Sequence, residues 1–131
     1  MSDEDVIRES VGAWNQGGVD AFLEYVSPDV RWHHPPGFPE GDLWCGLDEL
    51  RGMLHEQFDA VFDAGTVDIQ SFTHAPKGCL VGFHHSVQAQ TSGMDLEWAA
   101  WFVMTVQDGL ITENHVFLHQ EQAEQAAGVE G

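Results

Sequence analysis

The 131-residue sequence predicts an α+β fold, because the spacing of its apolar residues changes along the chain. Up to about residue 65 apolar residues recur at helical intervals, and beyond it they alternate with polar residues as in strands. Turns containing glycine separate the alternating segments, which is typical of an antiparallel meander. Helices that precede such a meander pack on one face of its sheet. We therefore predict three N-terminal helices against one sheet, in a single domain spanning residues 1–131.

Three helices are predicted from apolar spacing and from the residues that end them. The first spans residues 3–16, with Ser2 as its candidate N-cap, and Gly17 and Gly18 end it. A short second helix spans about residues 20–26 and ends before Pro28, and the third runs from Leu47 to about residue 64. The first helix places its apolar residues on one stripe: Val6, Ile7, Val11 and Trp14. The third repeats this spacing: Leu47, Leu50, Leu54, Phe58, Val61 and Phe62.

Alternating segments predict the strands. They lie at about 30–34, 66–74, 78–91, 95–107 and 110–120. The segment 35–46 contains three of the five prolines and is predicted to be an irregular loop. The polar tail from about residue 121 is predicted to be frayed.

The same alternation indicates which side chains face the core. In the strand 78–91 one face is apolar and consists of Cys79, Val81, Phe83, Val87 and Ala89. His85 lies in the middle of this apolar face. In the strand 30–34, Trp32 and His34 point to the same side as Val30. In the last strand the two faces are equally mixed, so alternation does not decide between Asn114 and His115.

The strand 95–107 is apolar on both faces. One face contains Leu96, Trp98, Ala100, Phe102, Met104 and Val106, and the other contains Ala99, Trp101 and Val103. A strand that is apolar on both faces is usually covered on both. We therefore predict a homodimer that packs through the outer face of the sheet.

The charge of the chain excludes several functions. Twenty-two acidic residues face four basic ones, for a formal net charge of −18, which disfavours binding to nucleic acid or anionic membranes. A high-salt environment is one hypothesis for this acidity. No apolar run is long enough to span a membrane, and the acidic N-terminus does not look like a secretory signal. Cys45 and Cys79 match no metal or redox spacing, which favours reduced thiols and a cytoplasmic location.

Three stretches resemble a known family: WNQGGVDAFLEYVSPDVRWHHPPG, GLDELRGMLHEQF and VQDGLITENHVFLH. Over about residues 5–119 the chain resembles SnoaL-like proteins of the nuclear transport factor 2-like superfamily, which include polyketide cyclases and lie close to ketosteroid isomerases. The resemblance implies a cone-shaped, curved, mixed or antiparallel sheet wrapped round three helices, with the ligand site inside. It also implies that His34 matches the catalytic base of ketosteroid isomerases, whereas Ser10 and Phe102 replace their acids. It favours Asn114 over His115 as the inward residue.

Two inward imidazoles on an apolar wall can perform general acid–base chemistry, because histidine titrates near neutral pH. We interpret His34 as the base, His85 as the acid or carbonyl polariser, and Asn114 as a neutral hydrogen-bond donor. The predicted substrate-binding residues are aromatic or aliphatic: Trp14, Trp32, Phe83, Val87, Trp98, Phe102 and Val116. The predicted function is a cofactor-independent isomerase, cyclase or dehydratase acting on a small apolar, aromatic or polycyclic carbonyl compound. The alternative is a non-catalytic ligand-binding or stress-associated domain, in which each imidazole bonds a buried group.

No metal and no cofactor are predicted. His115 and His119 would lie roughly 13 Å apart on a strand, too far to share one ion. Adjacent histidines on a strand point to opposite faces and cannot chelate together. Neither a glycine-rich phosphate loop nor a nucleophile elbow is present in the sequence.

Overall fold

The computed structural model describes residues 2–34, 43–59, 62–89 and 92–129, with the backbone alone at 58–59 and 62–65. Within these ranges it confirms the α+β class, with three α-helices and a six-stranded mixed sheet. The helices are α1 (Asp3–Leu23), α2 (Leu47–Leu54) and α3 (Gln120–Ala127). The strands are β1 (Val26–His33), β2 (Leu43–Cys45), β3 (Phe62–Ala75), β4 (Gly78–Ala89), β5 (Asp95–Gln107) and β6 (Leu110–Phe117).

The sheet has the order β2-β1-β6-β5-β4-β3. Strands β3 to β6 form the predicted antiparallel meander. Strand β1 pairs antiparallel with β2 and parallel with β6, which makes the sheet mixed. This parallel pair joins the beginning of the sheet to its end, and Trp32 lies opposite Asn114 in its register.

Helix α1 begins as predicted, since the Ser2 hydroxyl accepts a hydrogen bond from the Asp5 backbone N–H at 3.1 Å. The predicted break is a kink, because Gly18 adopts a φ of 79° that glycine tolerates and the helix resumes until Leu23. The predicted second helix therefore ends early. Residue Val26 already belongs to β1, and the register of β1 on β6 shifts between Val26 and Arg31.

The third predicted helix is shorter than expected. It leaves the α conformation after Leu54 and continues as a π-helix over His55–Asp59. The backbone from Phe62 pairs with β4, so the strand replaces the predicted last helical turn. Val61 lies outside the described residues. The predicted loop 35–46 contains the short strand Leu43–Cys45, and residues 35–42 lie outside the described ranges.

The prediction of a frayed tail is wrong, because residues 120–127 form helix α3 on the outer face of the sheet. Ala123 and Ala127 are fully buried there against Leu80 and Val103. The tail is held further by the Lys77 backbone N–H, which donates to the Ala127 carbonyl at 3.0 Å. Helix α3 thus covers part of the apolar outer surface of β5, where Val103 is buried and Trp101 packs against the same cluster, whereas Ala99 is exposed.

The main core lies between the inner face of the sheet and helices α1 and α2, and includes the fully buried Ile7, Leu50 and Val81. The side chain of Asn15 fastens α1 to β3, because its amide accepts from the Val67 N–H at 2.8 Å and donates to the Val67 carbonyl at 2.9 Å. Among the described residues no helix is both long and apolar enough to cross a membrane.

Candidate functional site

Two adjoining chambers open between the helices and the inner face of the sheet. The inner chamber has a volume of about 60 Å³, and its polar lining residues are Ser10 and His85. The outer chamber has a volume of about 210 Å³, and its polar lining residues are His34, Gln57 and His85. The same four residues line both chambers: Trp32, Leu54, His85 and Phe102. The chambers are therefore two parts of one largely apolar site, with His85 at their junction.

His85 is held in the wall by strand pairing and stacking. It lies opposite Trp98 in the β4–β5 register, and the two rings stack with centroids 5.0 Å apart and planes 8° from parallel. Its exposed fraction is only 7%. Burial lowers the pKa of His85 from 6.5 to about 4, and the charge of His84 adds to the effect. At neutral pH the His85 side chain is therefore an uncharged imidazole.

His34 lies just after β1 and lines the outer chamber with His85. Its half-buried ring packs edge-on against Trp44 of β2, with centroids 4.6 Å apart. The structure thus brings the two histidines singled out in the sequence into one chamber. They come from strands that are not neighbours in the sheet, β1 and β4.

Asn114 faces the inner side of the sheet, as the resemblance implies, but does not line either chamber. It is fully buried and lies opposite Trp32 on one side and Met104 on the other. Neither the amide nitrogen nor the amide oxygen has a hydrogen-bond partner within the described part of the chain. The structure therefore does not bring Asn114 together with His34 and His85.

Most of the predicted aromatic wall is present. Trp14 and Phe83 line the inner chamber, and Trp98 and Val116 line the outer one. Trp32 and Phe102 border both, and their rings meet edge to face with centroids 5.8 Å apart. Val87 is buried but lines neither chamber, because it lies further along β4 opposite Leu96.

A comparison with protein families decides what kind of domain this is. Residues 7–114, most of the chain, match the SnoaL-like domain.

The chain belongs to the SnoaL-like domain family.

Solved structures share the fold of this SnoaL-like domain. An NTF2-like protein of unknown function from Burkholderia pseudomallei is 20% identical, with a TM-score of 0.75 over 97% of this chain and 98% of that chain. TerC, co-crystallised with polyporic acid, is 17% identical, with a TM-score of 0.74 over 95% of this chain and 96% of TerC. A third structure is that of a Catenulispora acidiphila protein with a ketosteroid isomerase-like fold, in complex with trimethylamine. It is 12% identical, with a TM-score of 0.73 over 99% of this chain and 96% of that chain. A search of curated proteins finds no significant match.

Three residues that the sequence analysis did not include among the substrate-binding residues line the chambers: Ser10, Gln57 and Leu118. Ser10 is fully buried at the inner chamber, where its hydroxyl donates to the Ile7 carbonyl at 2.7 Å. Gln57 and Leu118 line the outer chamber. A signal for Gln57 was present in the sequence, since it follows the inward Leu54 by three residues and helical neighbours at that spacing share a face.

On the opposite, outer face of the sheet, His33, Glu113 and His115 form what we call the outer-face cluster. The imidazoles of His33 and His115 stack with centroids 4.0 Å apart and planes 3° from parallel. The Glu113 carboxylate approaches the His33 Nε2 at 3.1 Å and the His115 Nε2 at 3.8 Å. Burial and the charge of His33 lower the pKa of His115, against the raising effect of Glu113. Sequence reasoning missed the cluster because alternation assigns faces within one strand and does not predict that β1 and β6 are neighbours; it considered convergence only for His34, His85 and one further group.

Proposed function

We propose that this SnoaL-like domain is a cofactor-independent isomerase, cyclase or dehydratase that moves protons on an apolar carbonyl compound. The observation that supports it is the presence of His34 and His85 in one chamber whose other walls are mainly aromatic and aliphatic. Two imidazoles that reach the same bound molecule from different strands can divide proton transfer and charge stabilisation between them.

In this proposal His85 polarises the substrate carbonyl. The low pKa of His85 keeps its imidazole neutral, so it offers an N–H as a hydrogen-bond donor rather than a dissociable proton. The stacked Trp98 ring restricts the orientation of the imidazole. Of the two roles considered for His85, acid and polariser, its protonation state favours the polariser.

His34 acts as the base in the same proposal. Its imidazole removes a proton from the carbon next to the carbonyl, and the electron pair moves onto the carbonyl oxygen to form an enolate. The His85 N–H stabilises the oxygen charge that develops. The His34 imidazolium then returns the proton to another carbon in an isomerisation, or to a departing hydroxyl group in a dehydration.

The walls indicate the class of substrate. Trp98 and Phe102 present aromatic surface to the outer chamber, and Trp32 lies between the outer chamber and the inner one. An aromatic or polycyclic body with one carbonyl matches this lining. TerC, a protein of the same fold, was co-crystallised with the small molecule polyporic acid, which is compatible with a small-molecule substrate here. Asn114 has no direct role in the proposal, because it lines neither chamber.

The test is hydrogen–deuterium exchange at the carbon next to the carbonyl, followed by proton NMR with 2-tetralone and 1-indanone as probes. The wild-type chain should accelerate exchange over buffer, and His34→Gln and His85→Gln should each lose about 100-fold of that acceleration. His84→Gln is the matched control, because His84 is the neighbour of His85 on the other face of β4. Exchange no faster than in buffer, or full activity in His34→Gln, would contradict the catalytic proposal.

A non-catalytic ligand-binding domain is the second candidate. It is favoured by the inner chamber, where the Ser10 hydroxyl already bonds the Ile7 carbonyl and His85 is a weak base. The two candidate functions are distinguished by measuring ligand binding as well as hydrogen–deuterium exchange. Binding is followed by the quenching of tryptophan fluorescence by 2-tetralone. Binding without exchange, abolished by Ala100→Phe in the outer chamber but not by Ala99→Phe on the opposite face, would favour this candidate.

Two expectations about the whole molecule remain proposals. A homodimer through the outer sheet face would have to use the part that α3 leaves open, and light scattering at micromolar concentration tests it directly. The cytoplasmic location still rests on cysteine usage, with Cys45 and Cys79 present as free thiols.

A further inference from the structure

The outer-face cluster is formed by the one parallel strand pair described in the sheet. In the register of β1 on β6, His33 lies opposite His115, and Arg31 lies opposite Glu113. Paired residues in adjacent strands project to the same face, so the three cluster side chains emerge together on the outer side. His34 and Asn114, their chain neighbours, point the other way. The cluster is thus separate from the chambers of the proposed function and does not depend on that function.

The donor atoms of the cluster are close enough to share one ion. One ligand atom from each of His33, Glu113 and His115 lies within 4.8 Å of the others. Nitrogen and oxygen ligands of a tetrahedral zinc ion lie about 2.0–2.2 Å from it, which separates ligand atoms by roughly 3.4 Å. An imidazole nitrogen binds an ion in the plane of its ring, so the stacked His33 and His115 rings must tilt out of their parallel arrangement for both to reach one ion. The three ligand atoms must also move by roughly an ångström to reach that tetrahedral spacing.

We propose that the outer-face cluster binds a divalent transition metal ion, with zinc as its reference ion. Two imidazole nitrogens and one carboxylate oxygen are a ligand set for zinc, cobalt, nickel or copper, whereas calcium and magnesium require mainly oxygen ligands. Three protein ligands leave a fourth position for water or another small ligand. The net charge of −18 raises the local concentration of cations around the molecule.

Access and charge at the cluster are consistent with an exchangeable ion. The three side chains are partly exposed, at 23% for His33, 38% for Glu113 and 40% for His115, so an ion reaches them from solvent. Arg31 is the nearby charge that opposes a cation, since it acts electrostatically on His115. The competing arrangement is a plain ion pair between protonated His33 and Glu113, which binds no metal.

A bound ion would connect the cluster to the chambers through the strand backbones. It would tie His33 of β1 to His115 of β6 across the parallel pair. The residues next to them, His34 and Val116, line the outer chamber from the opposite face. Metal binding would therefore hold together the two strands that carry one wall of the chamber, and we expect it to raise the melting temperature.

The experiment is calorimetric titration of the untagged, EDTA-treated full chain with zinc chloride, repeated with cobalt chloride while the visible absorption is followed. The wild-type chain should bind one zinc ion with half-saturation at micromolar or lower zinc. His33→Gln, Glu113→Gln and His115→Gln should each weaken binding at least about tenfold. Zinc should raise the melting temperature of the wild type but not of these variants.

Matched controls separate the cluster from other surface ligands. His84→Gln removes a histidine that pairs with one carboxylate, Glu97, at 3.5 Å. Cys45→Ser removes the exposed thiol on β2. Both variants should bind zinc as the wild type does. Absence of wild-type binding, or binding that survives the cluster substitutions, would overturn the proposal.

If a cluster variant does not fold, X-ray absorption spectroscopy of the zinc-loaded wild type decides instead. Two imidazoles and oxygen around the ion would support the site. A sulfur ligand, or fewer than two imidazoles, would overturn it.

Discussion

The buried imidazole of His85 should make the folded state sensitive to mild acid. Its pKa is about 4 in the folded protein, against 6.5 for an ordinary histidine, so between these values the unfolded chain binds more protons than the folded one. The contribution of the neutral His85 imidazole to the unfolding free energy is therefore fully present above pH 6.5 and is lost as the pH falls towards 4. For this pair of values, the loss of unfolding free energy from pH 7.5 to pH 5.0 is about 2 kcal/mol.

Urea unfolding of the wild type and of His85→Gln at pH 7.5, 6.5, 5.5 and 5.0 measures this contribution. The carboxylates titrate in both chains and cancel in the difference, and stopping at pH 5.0 keeps the protein above its pI of about 4.3. The wild type should lose about 2 kcal/mol more than His85→Gln over this range. His84→Gln should retain most of the wild-type slope, because His84 is partly exposed and its charge is the smaller cause of the lowered pKa of His85. Equal slopes in the wild type and in His85→Gln would refute the reasoning.

Three further predictions concern stability. Gly82→Ala should cost about 1–3 kcal/mol in urea unfolding, because the added Cβ would lie 2.5 Å from the Ser71 hydroxyl, and adding Ser71→Ala should recover part of the loss. Asn15→Ala should cost about 1–2 kcal/mol through its two lost bonds to Val67, whereas the exposed Gln16→Ala should be neutral; equal costs would contradict this role. Two molar potassium chloride should raise the melting temperature by roughly 5 °C by screening the net charge of −18, with sucrose of equal osmolality as the control. A melting temperature that does not rise in potassium chloride would contradict the high-salt hypothesis.

The parts of the site that sequence predicted are those that depend on local alternation. His85 and Trp98 could be placed on the inner face from their own strands, because the side-chain period of two is a local property. Alternation failed at β6, where the register on β5 shifts between Thr105 and Val106. Ile111 and Asn114 are both fully buried although they are three residues apart, so no single alternation describes this strand.

The features that sequence missed depend on contacts between distant parts of the chain. Helix α3 is mostly polar, and its buried contacts come from the alanines Ala123 and Ala127, which carry little hydrophobic signal. The outer-face cluster exists because His33 and Glu113, 80 positions apart, meet across parallel strands. A helical pattern also misled at residues 62–64, where pairing between β3 and β4 outweighs helical propensity.

The pairing of β1 with β6 has a consequence for how this protein is made. Strand β1 leaves the ribosome early, but its central partner is the last strand of the sheet, and contacts between such distant segments form slowly. The outer chamber takes Trp32 and His34 from one end of the chain and Val116 and Leu118 from the other. A nascent chain that has not yet released β6 therefore has no complete chamber, and its β1 has an unsatisfied edge open to mispairing. A ligand can therefore occupy the complete chamber only after β6 has left the ribosome and paired with β1.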